Sequence, residues 1–288
     1  MPILADFDYI RPKTIDETLE ILSGTKKTKI LAGGTDLIVQ LKEEVIAPEI
    51  IIDVKDLQDF NKIEYNGEFL TIGAGVTFTQ IIESDILKEK LPLLCQTAEK
   101  VASVGIRNRA TLVGNICSAV PSLDSAPALL NYEAIVVVKS KTKEKEISIH
   151  EWFVAPKKTV LKDDEIVTEI KIKVPKKHLS EYQKLGRYNG EDLAQAGVGI
   201  LLFENKKIRA SVCAVGPIPK RLKVVESYLN DNGLSDEAIE KAVEMIDREI
   251  SPITDIRATE KYRRHMTKVM FARGLKNLIE KYDKGGLK

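Results

Sequence analysis

The sequence predicts a mixed α+β protein of two or three domains, and three observations carry that reading. The first 60 residues hold a strand, a paired-glycine turn, a helix and a second strand, a βαβ-like unit. Asn66-Gly67, a strong hairpin turn, then opens a region where strands and helices alternate. Beyond Pro175-Lys176-Lys177, three strand-like runs precede three helical ones, as in a separate α+β domain. With 288 residues the chain is long enough to build several cores.

Each element has a local reason. Thr14 caps a helix over residues 14–22, and Ser23-Gly24 stops it. Residues 29–32 form a short strand running into Gly33-Gly34. Thr35 then opens a helix to residue 44, with Leu37, Ile38 and Leu41 as its buried stripe. The β-branched run at 49–54 is the next strand. Asn66-Gly67 joins strands at 62–65 and 69–72, and helices follow at 77–86 and 92–102. A low-charge stretch rich in small residues covers 109–130. Strands are expected at 134–138, 144–149 and 165–174, then at 181–187, 196–203 and 207–215. Helices at 219–229, 236–250 (behind Ser235) and 259–282 complete the chain.

Composition excludes several classes of function. A 43% apolar content rules out disorder over most of the chain. Forty-four Lys and Arg against 43 Asp and Glu leave no global field to hold nucleic acid or an anionic membrane. The local exception is residues 257–288, with ten basic side chains against three acidic; the solvated face of an amphipathic helix explains it. Cys95, Cys117 and Cys213 are too few and too scattered for a disulfide framework or a cysteine-rich metal site. There is no leader-like N-terminus and no apolar run near the ~18 residues of a membrane span. A soluble, cytoplasmic protein is expected.

Familiar catalytic motifs are absent. His150, His178 and His265 are isolated, and no H-E-x-x-H, G-x-S-x-G or phosphate-loop pattern occurs. Gly73-Ala74-Gly75 imitates a dinucleotide fingerprint, but Phe78 stands where the third glycine belongs, so it reads as a tight strand exit.

Two segments carry chemistry. In Ala32-Gly33-Gly34-Thr35-Asp36-Leu37 the glycines sit between a strand and a helix start. There the backbone can offer N–H groups to an anion, and Thr35 a hydroxyl. The structural alternative is an ordinary turn capped by Thr35 or Asp36. The second segment runs from Thr111 to Asp124 without a positive charge. Asn115 and Ser118 can read ligand oxygens there and Asp124 can accept from hydroxyls, unless Asp124 only caps a following helix.

AGGTDL at residue 32, then RNRATLVGN and PSLDSAPALL, resemble the FAD-binding medium subunit of the molybdenum hydroxylases, the family of xanthine, carbon monoxide and nicotinate dehydrogenases. KLGRYNGEDLAQAGVGI and EKYRRHMTKVMFARGL resemble that family's C-terminal domain. The resemblance implies a vanillyl-alcohol-oxidase-type fold: two α/β subdomains (1–56 and 57–175) clasping FAD, then a C-terminal α+β domain (178–288). It assigns Lys29, Ile30, Leu31, Ala32, Gly33, Gly34, Thr35, Asp36 and Leu37 to the pyrophosphate. The other side falls to Thr111, Leu112, Val113, Gly114 and Asn115, with Ser118 nearby. Asp124 is implied at the adenosine-side hydroxyls, Val167 against the flavin through its backbone, and Lys184 near the flavin pyrimidine edge. Val101 and Leu193 are implied to sandwich the ring. The loop 187–193 is similar to one that moves over the flavin.

The resemblance further implies partners: a small iron–sulfur subunit with 2Fe–2S clusters and a large molybdopterin subunit, in a dimer of heterotrimers. FAD would pass electrons to an external acceptor such as NAD, and no side chain of this chain need be catalytic. Val113 departs from the Gly-Gly found in many members, which narrows the backbone there. No cysteine-rich insertion marks a 4Fe–4S variant. Two other readings are a stand-alone flavin reductase of the same fold and a C-terminal nucleic-acid-binding module.

Overall fold

The structure, a computed structural model, describes residues 3–188 and 191–287. Its first unit comprises β1 (Asp8–Ile10), α1 (Ile15–Leu22), β2 (Thr28–Leu31), α2 (Leu37–Lys42) and β3 (Ile50–Asp53). The three strands are parallel in the order β1-β3-β2. β3 is central and buried along its whole length, hence a continuous Ile-Ile-Ile run rather than an alternating one. Thr14 accepts from the Glu17 amide and caps α1 as expected. β1 has no signal of its own, being three residues of mostly exposed edge strand. The loop after β2 leaves the C-terminal end of the sheet, where open parallel sheets place ligands.

The second unit begins with β4 (Ile63–Tyr65) and β5 (Phe69–Gly73), hinged at Gly67 with φ +96°. Asn66 Oδ1 accepts from the Glu68 and Phe69 amides, closing the turn. Helices α3 (Phe78–Glu83) and α4 (Asp85–Lys90) replace the single expected helix. Ser84 separates them, because its hydroxyl accepts from Leu87 N–H and starts a new helix. Then come α5 (Pro92–Glu99), α6 (Val104–Arg107), α7 (Leu112–Ser118) and α8 (Ala126–Asn131). β6 (Ile135–Lys139), β7 (Glu144–Ser148), α9 (Ile149–Trp152), β8 (Phe153–Ala155), β9 (Lys158–Thr159) and β10 (Ile166–Lys173) complete it. The main sheet is antiparallel, β4-β5-β10-β6-β7. A single apolar core joins this unit to the first, from Leu19 and Ile52 to Phe60, Phe78 and Trp152. Gly73 needs its missing Cβ: one built there lies 2.4 Å from the Phe60 carbonyl oxygen, so the Gly-Ala-Gly run is a packing device.

The last unit has β11 (His178–Leu185), β12 (Ala196–Phe203), β13 (Ile208–Cys213) and β14 (Lys220–Arg221), antiparallel in that order. Behind them lie α10 (Lys223–Asn232), α11 (Asp236–Met245) and α12 (Glu260–Asp283). β14 occupies the start of what the sequence reads as a helix from residue 219. In β12, Ala196, Val198, Ile200 and Leu202 face the helices, while Leu201 joins the first core. Gly199 lets Pro127 of α8 approach, a built Cβ lying 3.0 Å from it. The sheet is therefore buried on both faces.

On α12 the buried stripe is Arg263, Thr267, Met270, Phe271, Leu275 and Leu278, whereas Tyr262 is half exposed. Several basic residues of this helix are paired: Arg264 with Glu260, Lys268 with Asp247, Lys276 with Asp236 and Lys281 with Glu181. Arg263, 2% exposed, donates to the Gln195 and Ala214 carbonyls and to Asp255. Arg263→Ala strands a buried and a part-buried carbonyl, and we expect a loss of about 3 kcal/mol in denaturant unfolding. Asp255, held well below the ordinary carboxylate range by Arg257, two backbone amides and Arg263, adds stability that is lost as pH falls through its folded pKa. An unchanged midpoint for the alanine variant would sink this assignment.

Candidate cofactor site

The loop after β2 turns on Gly34, whose φ of +76° suits glycine. Gly33 is tighter still. A Cβ built on it lies 2.1 Å from the Arg109 carbonyl oxygen and 2.8 Å from Ala110 Cα. The two glycine-bearing motifs, about 80 residues apart, are thus pressed backbone to backbone. Among the described residues, the amides of Gly33, Gly34, Thr35 and Asp36 donate to no protein acceptor. Asp36 stands at the N-cap of α2 but makes no side-chain cap bond. The capping alternative is not realised, and a cluster of free donors remains beside a helix start. Lys29 is exposed, Ile30, Leu31, Ala32 and Leu37 are half-buried, and Asp36 is exposed.

The second motif is the start of α7. Thr111 caps it, its hydroxyl accepting from Gly114 N–H at 2.9 Å. An isolated bridge ties Thr111 to Thr77, the cap of α3. Val113 lies in the first helical turn and is not among the residues with positive φ, so no glycine freedom is needed there. Its amide also lacks a protein acceptor among the described residues. Asn115 Oδ1 accepts from the Ser125 hydroxyl at 2.6 Å, which aims the amide nitrogen of Asn115 elsewhere. Ser118 corrects an expectation. Its hydroxyl donates to the Asn115 carbonyl within the helix, so toward a ligand it can only accept.

Asp124 does not cap α8; Ser125 holds that position, and without a side-chain cap bond. Both Asp124 oxygens turn to β11 instead. Oδ1 accepts from Tyr182 Oη at 2.8 Å and Oδ2 from Lys184 Nζ at 2.8 Å. Tyr182 and Lys184, two apart on one strand, share a face and grip one carboxylate. Lys184 also donates to the Lys100 carbonyl at 2.7 Å. Arg107 donates to the next two carbonyls, Val101 and Ala102. The turn 100–102, which bears buried Val101, is therefore held by two cations. Burial raises the Asp124 pKa to about 6, against the opposing pull of Lys184 and Tyr182.

These contacts form one chain: Gly33 on Arg109, Arg107 on Val101, Lys100 on Lys184, Lys184 on Asp124, and Ser125 on Asn115. The sequence placed Asp124 at the adenosine side and Lys184 at the flavin edge, opposite ends of a dinucleotide. Their direct ion pair sets the two side chains next to each other, so a bound cofactor would meet them together. Tyr182 and Arg107 were missed. The alternation Tyr182-x-Lys184 was the only available sign of the first. Val167 is core at a β-bulge on β10. Leu193 is 60% exposed on the segment before β12. Of the loop 187–193, Asn189 and Gly190 lie outside the described residues; the Asp192 carboxylate accepts from the Tyr188 amide.

Residues 5–177 match the family described as the FAD-binding domain in molybdopterin dehydrogenase, and residues 180–278 the carbon monoxide dehydrogenase flavoprotein C-terminal domain. The chain belongs to the FAD-binding medium subunits of the molybdenum hydroxylases. It is 28% identical to the glyceraldehyde dehydrogenase medium chain of Sulfolobus acidocaldarius, over 95% of this chain and 98% of that protein. It is 29% identical to an Escherichia coli xanthine dehydrogenase FAD-binding subunit, over 91% and 92%. Its structure superposes on a chain of Hydrogenophaga pseudoflava carbon monoxide dehydrogenase with a TM-score of 0.92, at 27% identity, covering 97% of this chain and 99% of that one.

The arrangement fits a bound FAD. Free amides suit its diphosphate, and the Gly33 approach closes the cradle around them. Burial pushes the thiols of Cys95 and Cys117 up to about 11 and about 12, and that of Cys213 higher, so these thiols stay neutral at physiological pH. Among the described residues no three His, Cys, Asp or Glu side chains group as metal ligands. No helix among them is long and apolar enough to cross a membrane.

Proposed function

We propose that this medium subunit receives electrons from 2Fe–2S clusters of a small partner and passes them from FAD to an external acceptor such as NAD. A large molybdopterin subunit would hydroxylate the organic substrate, within a cytoplasmic dimer of heterotrimers. The observation that supports this most is the pair of glycine motifs pressed together with free amides around them, in a chain matched by the family over nearly its whole length. When bound, FAD supplies reversible two-electron chemistry.

The chain's own residues position it. The amides of Gly33, Gly34, Thr35, Asp36 and Val113 hold the diphosphate, and Asn115 orients it through its free amide nitrogen. The turn at Val101 and the Asp124–Lys184 pair set the charge and exclude water beside the rest of the cofactor. Residues 1–56 and 57–175 act as the two halves of the cradle, and 178–288 closes it. The full-length chain should take up one FAD per molecule and turn yellow; failure to bind FAD overturns the reading. Co-purification with two further subunits carrying iron and molybdenum tests the assembly.

The segment around Glu191, Asp192 and exposed Leu193 governs acceptor access in this reading. Amides in place of Glu191 and Asp192 remove negative charge near the cofactor. They should raise the FAD midpoint potential and change the rate of acceptor reduction without loss of FAD. If potential and rate both stay as they were, the segment is only a connector.

A further inference from the structure

We propose that Tyr182 is a positioning residue that keeps Asp124 ionised against Lys184, so that Lys184 is masked from the bound cofactor until Asp124 takes up a proton. The inference rests on the reading that this pair lines the FAD site.

Three observations carry it. Tyr182 is buried, and its hydroxyl donates to the one Asp124 oxygen that Lys184 does not hold. Asp124 is buried too and has no role as a helix cap, so its carboxylate is held between the cost of burial and the bonds from Lys184 and Tyr182. Space for the hydroxyl depends on Gly197: a Cβ there would lie 2.7 Å from Tyr182 Oη and 2.5 Å from Cys213 Sγ. The groups facing Asp124 are Tyr182 and Lys184 from β11, Lys100 at the end of α5, and Cys213 on β13. Burial raises the Asp124 pKa to about 6 and pushes Tyr182 and Cys213 upward, away from neutral pH.

The consequence runs through charge. With Asp124 ionised, the pair is neutral and FAD, an anion, gains little from Lys184. With Asp124 protonated, Lys184 stands as an unmasked cation. Tyr182→Phe removes the bond that favours the ionised carboxylate, so Asp124 protonates at higher pH.

The test measures FAD affinity of the full-length apo chain by flavin fluorescence between pH 5 and 9. Wild type should bind about tenfold tighter below pH 6 than at pH 8, the order expected of one unmasked charge. In Tyr182→Phe that step should move up by about a unit, so the variant binds tighter than wild type near pH 7 and equally at both extremes. Asp124→Asn should bind at the tight level throughout, with no step. Tyr182→Phe binding more weakly at every pH, or showing the wild-type step, would mean a packing role only and overturn the proposal. If wild type takes up no FAD at all, the function proposed above fails instead. A folded Tyr182→Leu, smaller and without a hydroxyl, gives the same comparison should the phenylalanine variant not fold.

Discussion

Gly33→Ala is expected to abolish FAD retention. A methyl at this position meets three backbone atoms, the carbonyl oxygen and carbon of Arg109 and the Cα of Ala110, all within 2.8 Å. No rotamer change relieves a clash between two backbones, so one of the two loops must move by about an ångström. That movement spreads the free amides of Gly33, Gly34 and Val113 apart. We expect FAD affinity to fall at least a hundredfold, about 3 kcal/mol, with a stability loss of about 1–3 kcal/mol. Gly67→Ala is the control. Its φ of +96° also disfavours a side chain, but a Cβ there has open space and lies on a hairpin tip. It should cost about 1–2 kcal/mol of stability and leave FAD bound. Flavin absorbance of the purified variants decides the matter: stoichiometric FAD in Gly33→Ala would show that the close approach does not shape the cradle.

Elements that carry their own punctuation were legible. β12 matches its expected span because a wholly buried strand reads as an unbroken apolar run. The Asn66-Gly67 hairpin and the Thr14 and Ser235 caps announce themselves within three or four residues. β1 and β14 were not legible, since two or three residues at a sheet edge take their structure from the neighbour that pairs with them. The site divides in the same way. The glycine loops are visible because turn chemistry is local. Tyr182 leaves only its alternation with Lys184 as a sign, because its partner Asp124 is 58 residues away and the space for it comes from Gly197. A family likeness supplied Asp124 and Lys184 as residues but placed them apart. In the fold, Tyr182 and Lys184, two apart on β11, bind the two oxygens of that one carboxylate.

Lys184→Met should be among the most destabilising single changes in the chain, with a pH signature that identifies its cause. The methionine is close in volume, so packing is largely kept, but Asp124 loses its counter-charge in a site where both side chains are less than a tenth exposed. Removing one partner of a buried pair costs about 3–5 kcal/mol, because the remaining charge has neither water nor cation. The pKa of Asp124 is already raised above its unfolded value, so its proton uptake favours the folded state at low pH, and that contribution is lost as pH rises through about 6. Without Lys184 the folded pKa rises further. The stability gap between variant and wild type should therefore be small at pH 4–5 and widen toward pH 8. Adding Asp124→Leu removes the stranded carboxylate. The double variant should regain most of the lost stability, since apolar replacements of a buried pair are often neutral or better. It should nonetheless show no pH step in FAD affinity, having neither the cation nor the group that masks it. Denaturant unfolding of the three proteins across pH 4–8 tests the argument. A Lys184→Met penalty that is constant with pH, or one that Asp124→Leu fails to reduce, would mean that packing rather than the ion pair holds this part of the structure.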